Sequence, residues 1–162
     1  MSIQALQAQL RTLRSIVQDL PGELFRAKVG QTSGSIGEHV RHSLDHARAL
    51  VALKDSDELT YDARLRGTPV ETNPDVAAFE IDRVSNDLVA LESALSERPI
   101  RLHLIAEAGR RPSVLTSTLG REVAFVVQHT IHHCALIALL LERRGVATPA
   151  RFGYAPSTPA AS

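Results

Sequence analysis

Two stripes of histidine set among leucines and valines constrain this chain more than anything else in it. Six of its seven histidines fall in two short segments: His39, His42 and His46 in one, and His129, His132 and His133 in the other. A helix advances about 100° per residue, so spacings of three and four bring side chains to one face. His39, His42 and His46 share such a face, and Leu50 and Leu53 continue it. Glu122, Phe125, His129, His133, Leu136 and Leu140 form a second stripe, from which His132 and Cys134 lie off. Apolar neighbours along both stripes predict that these imidazoles point into the interior.

An unpaired buried imidazole costs on the order of 1–3 kcal/mol. Two readings satisfy several at once. Nearby carboxylates, Asp45, Glu38 and Glu122, could accept their hydrogen bonds. Alternatively, two facing stripes could close on one divalent cation. A histidine pair at i and i+4, as in His129-Thr130-Ile131-His132-His133, is a standard chelating unit. It lacks the glutamate of the zincin protease motif, and no helix carries the Glu-x-x-His of ferritin-like di-iron sites. His103, alone in an alternating stretch, is expected to be structural or exposed, and Cys134 a small core residue.

Four helical patterns carry the fold. The first is striped by Ile3, Leu6, Leu10, Leu13, Val17 and Leu20, and Pro21-Gly22 stops it. The second opens on Ser35-Ile36-Gly37-Glu38, a capping box, and runs to about Lys54, with Ile36, Val40, Leu44, Ala47 and Val51 as its apolar stripe. Residues 55–72 read as a long loop. Asn73-Pro74 caps the third helix, striped by Ile81, Val84, Leu88, Leu91 and Leu95. Residues 99–106 alternate as a short extended piece, and residues 109–112 as a turn. The fourth helix is expected to begin near residues 116–118 and to end at Gly145, a left-handed cap. The expectation is an all-α protein, a single domain over residues 1–162 with its core at 3–145 and an irregular tail at 146–162.

Composition excludes several classes. Lys+Arg and Asp+Glu both number 18, which leaves no net charge and no basic stripe for nucleic acid. One cysteine precludes an internal disulfide framework. Residues 1–15 lack the continuous apolar stretch of a signal peptide, and the longest apolar run, residues 134–141, is short for a bilayer. A cytoplasmic protein with no membrane or nucleic-acid partner is expected.

Ser35-Ile36-Gly37-Glu38-His39-Val40-Arg41-His42, together with Gln128-His129-Thr130-Ile131-His132-His133, resembles the DinB-like family of metal-binding four-helix proteins. The resemblance implies a four-helix bundle of up-down-down-up topology, a long loop after its second helix, and commonly a homodimer. It also implies a divalent ion, zinc or nickel first and iron or manganese as further options, held by His42, His129 and His133. His39 and His46 then become the candidates for catalysis, facing the substrate or supporting the ligands. Characterised members of the family include low-molecular-weight thiol S-transferases, a thiol-dependent isomerase and hydrolases. The implied activity is a metal-dependent enzyme acting on a small molecule, with a low-molecular-weight thiol as a candidate partner. The alternative is a non-catalytic bundle that binds a ligand or uses the metal structurally. Tyr61-Asp62-Ala63-Arg64 and Phe152-Gly153-Tyr154-Ala155-Pro156-Ser157-Thr158 resemble stretches of one uncharacterised subgroup. They serve either as a packed loop and tail or as pocket walls, with Arg64 or Arg66 binding an anion.

Overall fold

The computed structural model describes residues 2–28, 34–94 and 96–159. Among the described residues there are five α-helices: α1 (Ile3–Val17), α2 (Gly22–Arg26), α3 (Ile36–Ala52), α4 (Pro74–Asp87) and α5 (Leu119–Glu142). Their apolar stripes decide how they pack. Leu6, Leu10, Leu13 and Val17 of α1, Ile36, Val40, Leu44 and Ala47 of α3, and Val126 and Ile137 of α5 are fully sealed from solvent. α1 lies against α4 and α5, and α3 lies against the same two helices, so the four long helices share one core.

The helix ends follow local chemistry. The Ser35 hydroxyl accepts from the Glu38 amide, and the Glu38 carboxylate accepts from the Ser35 amide, so the expected capping box forms. The Asn73 side chain caps α4 with Pro74 at its first position. Gly145, at φ 70°, takes the left-handed turn after α5. α4 ends at Asp87, where the chain tightens into a 3₁₀ turn (Leu88–Leu91). Leu95, expected to complete that stripe, lies outside the described residues.

The all-α, four-helix-bundle expectation is wrong. A three-stranded mixed sheet, β1 (Glu58–Thr60), β2 (Pro99–Leu104) and β3 (Ser113–Thr118), joins the helices. β1 pairs parallel with β2 through Leu59↔Leu102, and β2 pairs antiparallel with β3 through Leu102↔Leu115. Leu59, Ile100 and Leu102 bury one face of this sheet in the core. β1 hides in the sequence because three residues carry no periodicity, and its partner lies some forty residues on. β3 hides because its outer residues, Ser113 to Thr116, are all exposed and so show no alternation. Residues 116–118 end this strand, and the last helix starts directly after them at Leu119, capped by the Thr118 hydroxyl.

The supposed long loop is structured as well. It holds β1 and a 3₁₀ turn (Pro69–Glu71) that lies against α3. Gly37 makes that approach possible, because a Cβ there would sit 2.0 Å from the Glu71 carbonyl oxygen. The buried Arg41 guanidinium bonds Glu71 at 2.8 Å and Asp45 at 2.9 Å, fastening the turn to α3.

α5 is long and apolar enough to cross a membrane by length and composition, although half of its apolar window is buried inside the fold. The tail packs on the Ala135–Leu139 side of α5. Phe152 is buried there, and Gly153 sits so close that a Cβ would approach the Ala135 Cα to 2.5 Å. No histidine lines the groove this tail makes with α5.

Candidate metal centre

The contact between α3 and α5 brings the two histidine stripes together. Nε2 of His129 lies 3.0 Å from Nε2 of His42 and 3.2 Å from Nε2 of His133. The three ligand atoms fall within 4.8 Å of one another. For zinc–nitrogen bonds of about 2.0–2.1 Å in a tetrahedron, neighbouring nitrogens would stand about 3.3 Å apart. The two short spacings are close to that edge.

Proton accounting tests whether the residues suit an ion. A ring nitrogen has one in-plane position, filled by either a proton or a lone pair. Nε2 of His129 therefore satisfies only one of its two nitrogen neighbours by hydrogen bonding. A cation among the three lone pairs satisfies all of them together, so the donor set fits a divalent metal.

Burial is the first cause of the low basicity of these rings, and neighbouring positive charge is the second. It takes His42 down to about 3, with His46, Arg64, His129 and Arg41 lowering it further. His129 is lowered to about 4 by burial, then by His46, His132 and Arg64. His133 falls to about 2 by burial and by His42, His129, His39 and His132. All three are neutral at physiological pH, the form in which imidazole binds a metal.

The carboxylate reading fails for these rings. Asp45 is taken by Arg41 and Arg48. Glu38 is taken by Lys28 and the helix cap. The fully buried Glu122 accepts from the Tyr61 hydroxyl at 2.8 Å, from Arg121 at 2.7 Å and from the Ser117 hydroxyl. Among the described residues only His103 meets a carboxylate, that of Glu58 on the neighbouring strand β1.

His39 and His46 flank the cluster in different ways. Nδ1 of His39 lies 2.9 Å from Nδ1 of His133. When His133 presents its Nε2 lone pair, its ring proton sits on Nδ1 and points at His39. Burial lowers the basicity of His39, while Glu38 opposes that change. Nδ1 of His46 donates to the His42 carbonyl at 3.0 Å, which leaves the lone pair on Nε2. The His46 ring lies between two others, stacked on Tyr61 at 4.8 Å and 4.1 Å from His129. His132 is exposed and stays off the seam, as its position on the helix predicts.

Glu122 and the Tyr61 stretch both stand out in the sequence, but nothing there shows that they bond each other or that the Tyr61 ring stacks on His46. β1 ends one residue before Tyr61 and delivers its ring to His46, while Glu122 anchors its hydroxyl from α5. Phe125 stacks on His129 at 5.5 Å, and the Arg121 guanidinium lies 5.4 Å from the Phe125 ring centre. The signal for Tyr61 is the stretch Tyr61-Asp62-Ala63-Arg64, whose aromatic residue does pack at the pocket.

Over 101 residues, 62% of this chain, the sequence is 30% identical to a protein named FK506-binding protein 5 from Rhizopus delemar. That stretch is 26% of the relative, so the chain spans about a quarter of its length. The DinB superfamily model matches residues 5–137, a span that takes in α3, the sheet and both histidines of the α5 pair. With the match covering most of its length, the chain belongs to the DinB superfamily.

Proposed function

We propose that this protein is a metal-dependent enzyme that acts on a small molecule, with His42, His129 and His133 holding one divalent ion. The convergence of three Nε2 atoms that cannot all satisfy one another carries this reading. Zinc and nickel, the metals we favour, are among those that an all-imidazole set suits. Three neutral imidazoles leave the ion its full charge and a free position, where it would favour the ionised form of a bound water or thiol. The activity we favour is thiol S-transfer or hydrolysis.

The chain's own groups do the rest. His39 accepts the Nδ1 proton of His133 and fixes that ring's tautomer and direction. His46 is the candidate proton acceptor, because its Nδ1 is committed to the His42 carbonyl and its Nε2 carries the lone pair. Tyr61 and Phe125 cover the rings on the side of β1 and the start of α5, which limits water there.

Elemental analysis of protein purified without a histidine tag tests the metal. About one equivalent of zinc or nickel is expected, and metal-free protein after native purification overturns the reading. Turnover of electrophilic small molecules with and without added thiols then tests the chemistry. His46→Gln should lower turnover far more than metal content. Metal-loaded protein inert across both substrate classes overturns the enzyme assignment.

A further inference from the structure

The chain that follows β1 carries an exposed guanidinium, that of Arg64, with a single hydrogen bond among the described residues. Arg64 donates from Nε to the Tyr61 carbonyl at 2.9 Å, and the Tyr61 ring stacks on His46. That bond ties the Arg64 side chain to the residue whose ring packs on His46, and the guanidinium's positive charge helps lower the basicity of His42, His46 and His129. Arg41, Arg48, Arg83 and Arg98 each meet a carboxylate. Among the described residues, Arg64 and Arg66 meet none.

The two arginines share a groove of about 550 Å³ with Asp62, Ile105 and Ala108. Asp62 already accepts from the Ile105 amide at 2.9 Å, which ties the β2–β3 connection to this loop. Two cations and one carboxylate leave the groove a single net positive charge. That charge matches one carboxylate group, whereas a phosphate dianion would be left half neutralised. A guanidinium fork also matches the two oxygens of a carboxylate.

We propose that Arg64 is the specificity-determining residue of the site and binds the carboxylate of a small-molecule ligand whose other end reaches the histidines. The proposal rests on the metal-site reading only for that other end. It selects, among small thiols or electrophiles, those that carry a carboxylate a few bonds from the reacting atom.

Two experiments separate this proposal from the metal assignment. In metal-free protein, the Nε–H resonance of Arg64 is followed while propionate, propanol or inorganic phosphate is added. A saturable shift with propionate and none with propanol supports the proposal. No shift with either anion, or a shift with phosphate alone, overturns it regardless of what the histidines bind. In cobalt-loaded protein, binding of 3-mercaptopropionate and 3-mercaptopropanol is read from the thiolate-to-metal absorption band. Arg64→Gln should weaken the carboxylate thiol by about tenfold or more, the scale of a lost charge-assisted hydrogen bond, and leave the alcohol unchanged. Equal weakening of both thiols, or of neither, overturns the proposal. Failure of the wild-type protein to take up cobalt overturns the three-histidine site instead, and the propionate titration then decides the role of Arg64 alone.

Discussion

His103 and His129 carry the same side chain into opposite settings. His103 stands on a strand with its side chain about one-third exposed (34%) and rests against Glu58, a carboxylate on the adjacent strand. His129 stands on the longest helix, half-buried, with two imidazole nitrogens and no carboxylate at its Nε2. On the sheet, an anion answers the ring. At the α3–α5 seam every nearby acid is already committed to an arginine, a lysine, a tyrosine or a helix cap. Chemistry is assigned by what is left to pair with a group, and only at the seam does that remainder call for a cation.

The largest expected effect breaks the comparison outright if it fails. Alanine at His42, His129 or His133 should take bound metal from about one equivalent to near zero, while His103→Ala keeps it. Elemental analysis of the four proteins checks this, and equal metal content in all of them removes the distinction between the two settings.

A smaller effect sharpens the seam. His39→Leu removes the acceptor for the His133 Nδ1 proton and should weaken metal binding by about 10–100-fold without abolishing it. Competition with a chromophoric chelator measures this, and unchanged affinity would show that the His39–His133 contact does not orient the ligand.

The seam should also make the metal-free protein sensitive to acid. Free histidine titrates near 6.5, whereas the folded protein holds His129 at about 4, His42 at about 3 and His133 at about 2. Between these values the unfolded chain binds more protons than the folded one, so stability rises with pH. The cluster's contribution is complete above about pH 6.5 and drains away as pH falls toward 4 and below. Denaturant melts across that range should show the loss in metal-free protein, and His129→Leu should flatten it. A slope that persists in that variant places the acid sensitivity elsewhere.

Glu122→Gln probes whether the seam depends on a carboxylate after all. It weakens three hydrogen bonds at a fully buried site and should cost about 1–3 kcal/mol of stability while leaving metal content at one equivalent. Loss of metal in this variant would mean that the two histidine settings differ less than their geometry indicates. The smallest effect belongs to the sheet. His103→Ala gives up a partly exposed pair worth about 0–1 kcal/mol, within reach of careful melts.

What the sequence alone determined is the set of features written in neighbours three or four residues apart. The stripes of α1, α3 and α5, the Ser35 capping box, the Asn73-Pro74 start and the Gly145 stop all arise within a turn or two of helix. The inward pointing of His42, His129 and His133 follows from the same periodicity, and the family resemblance selected His42 from its stripe of three. Tertiary structure decided everything that joins distant segments. β1 has three residues and exists because Leu59 finds Leu102. Tyr61 reaches Glu122 across 61 residues, and His39 reaches His133 across 94. Whether the acids near the histidines were free was only partly a tertiary matter: Asp45 meets Arg41 and Arg48 on its own helix, whereas Glu122 takes the Tyr61 hydroxyl from across the fold. Helical periodicity records only which way a side chain faces. What it meets there depends on packing between segments, and no local pattern encodes that.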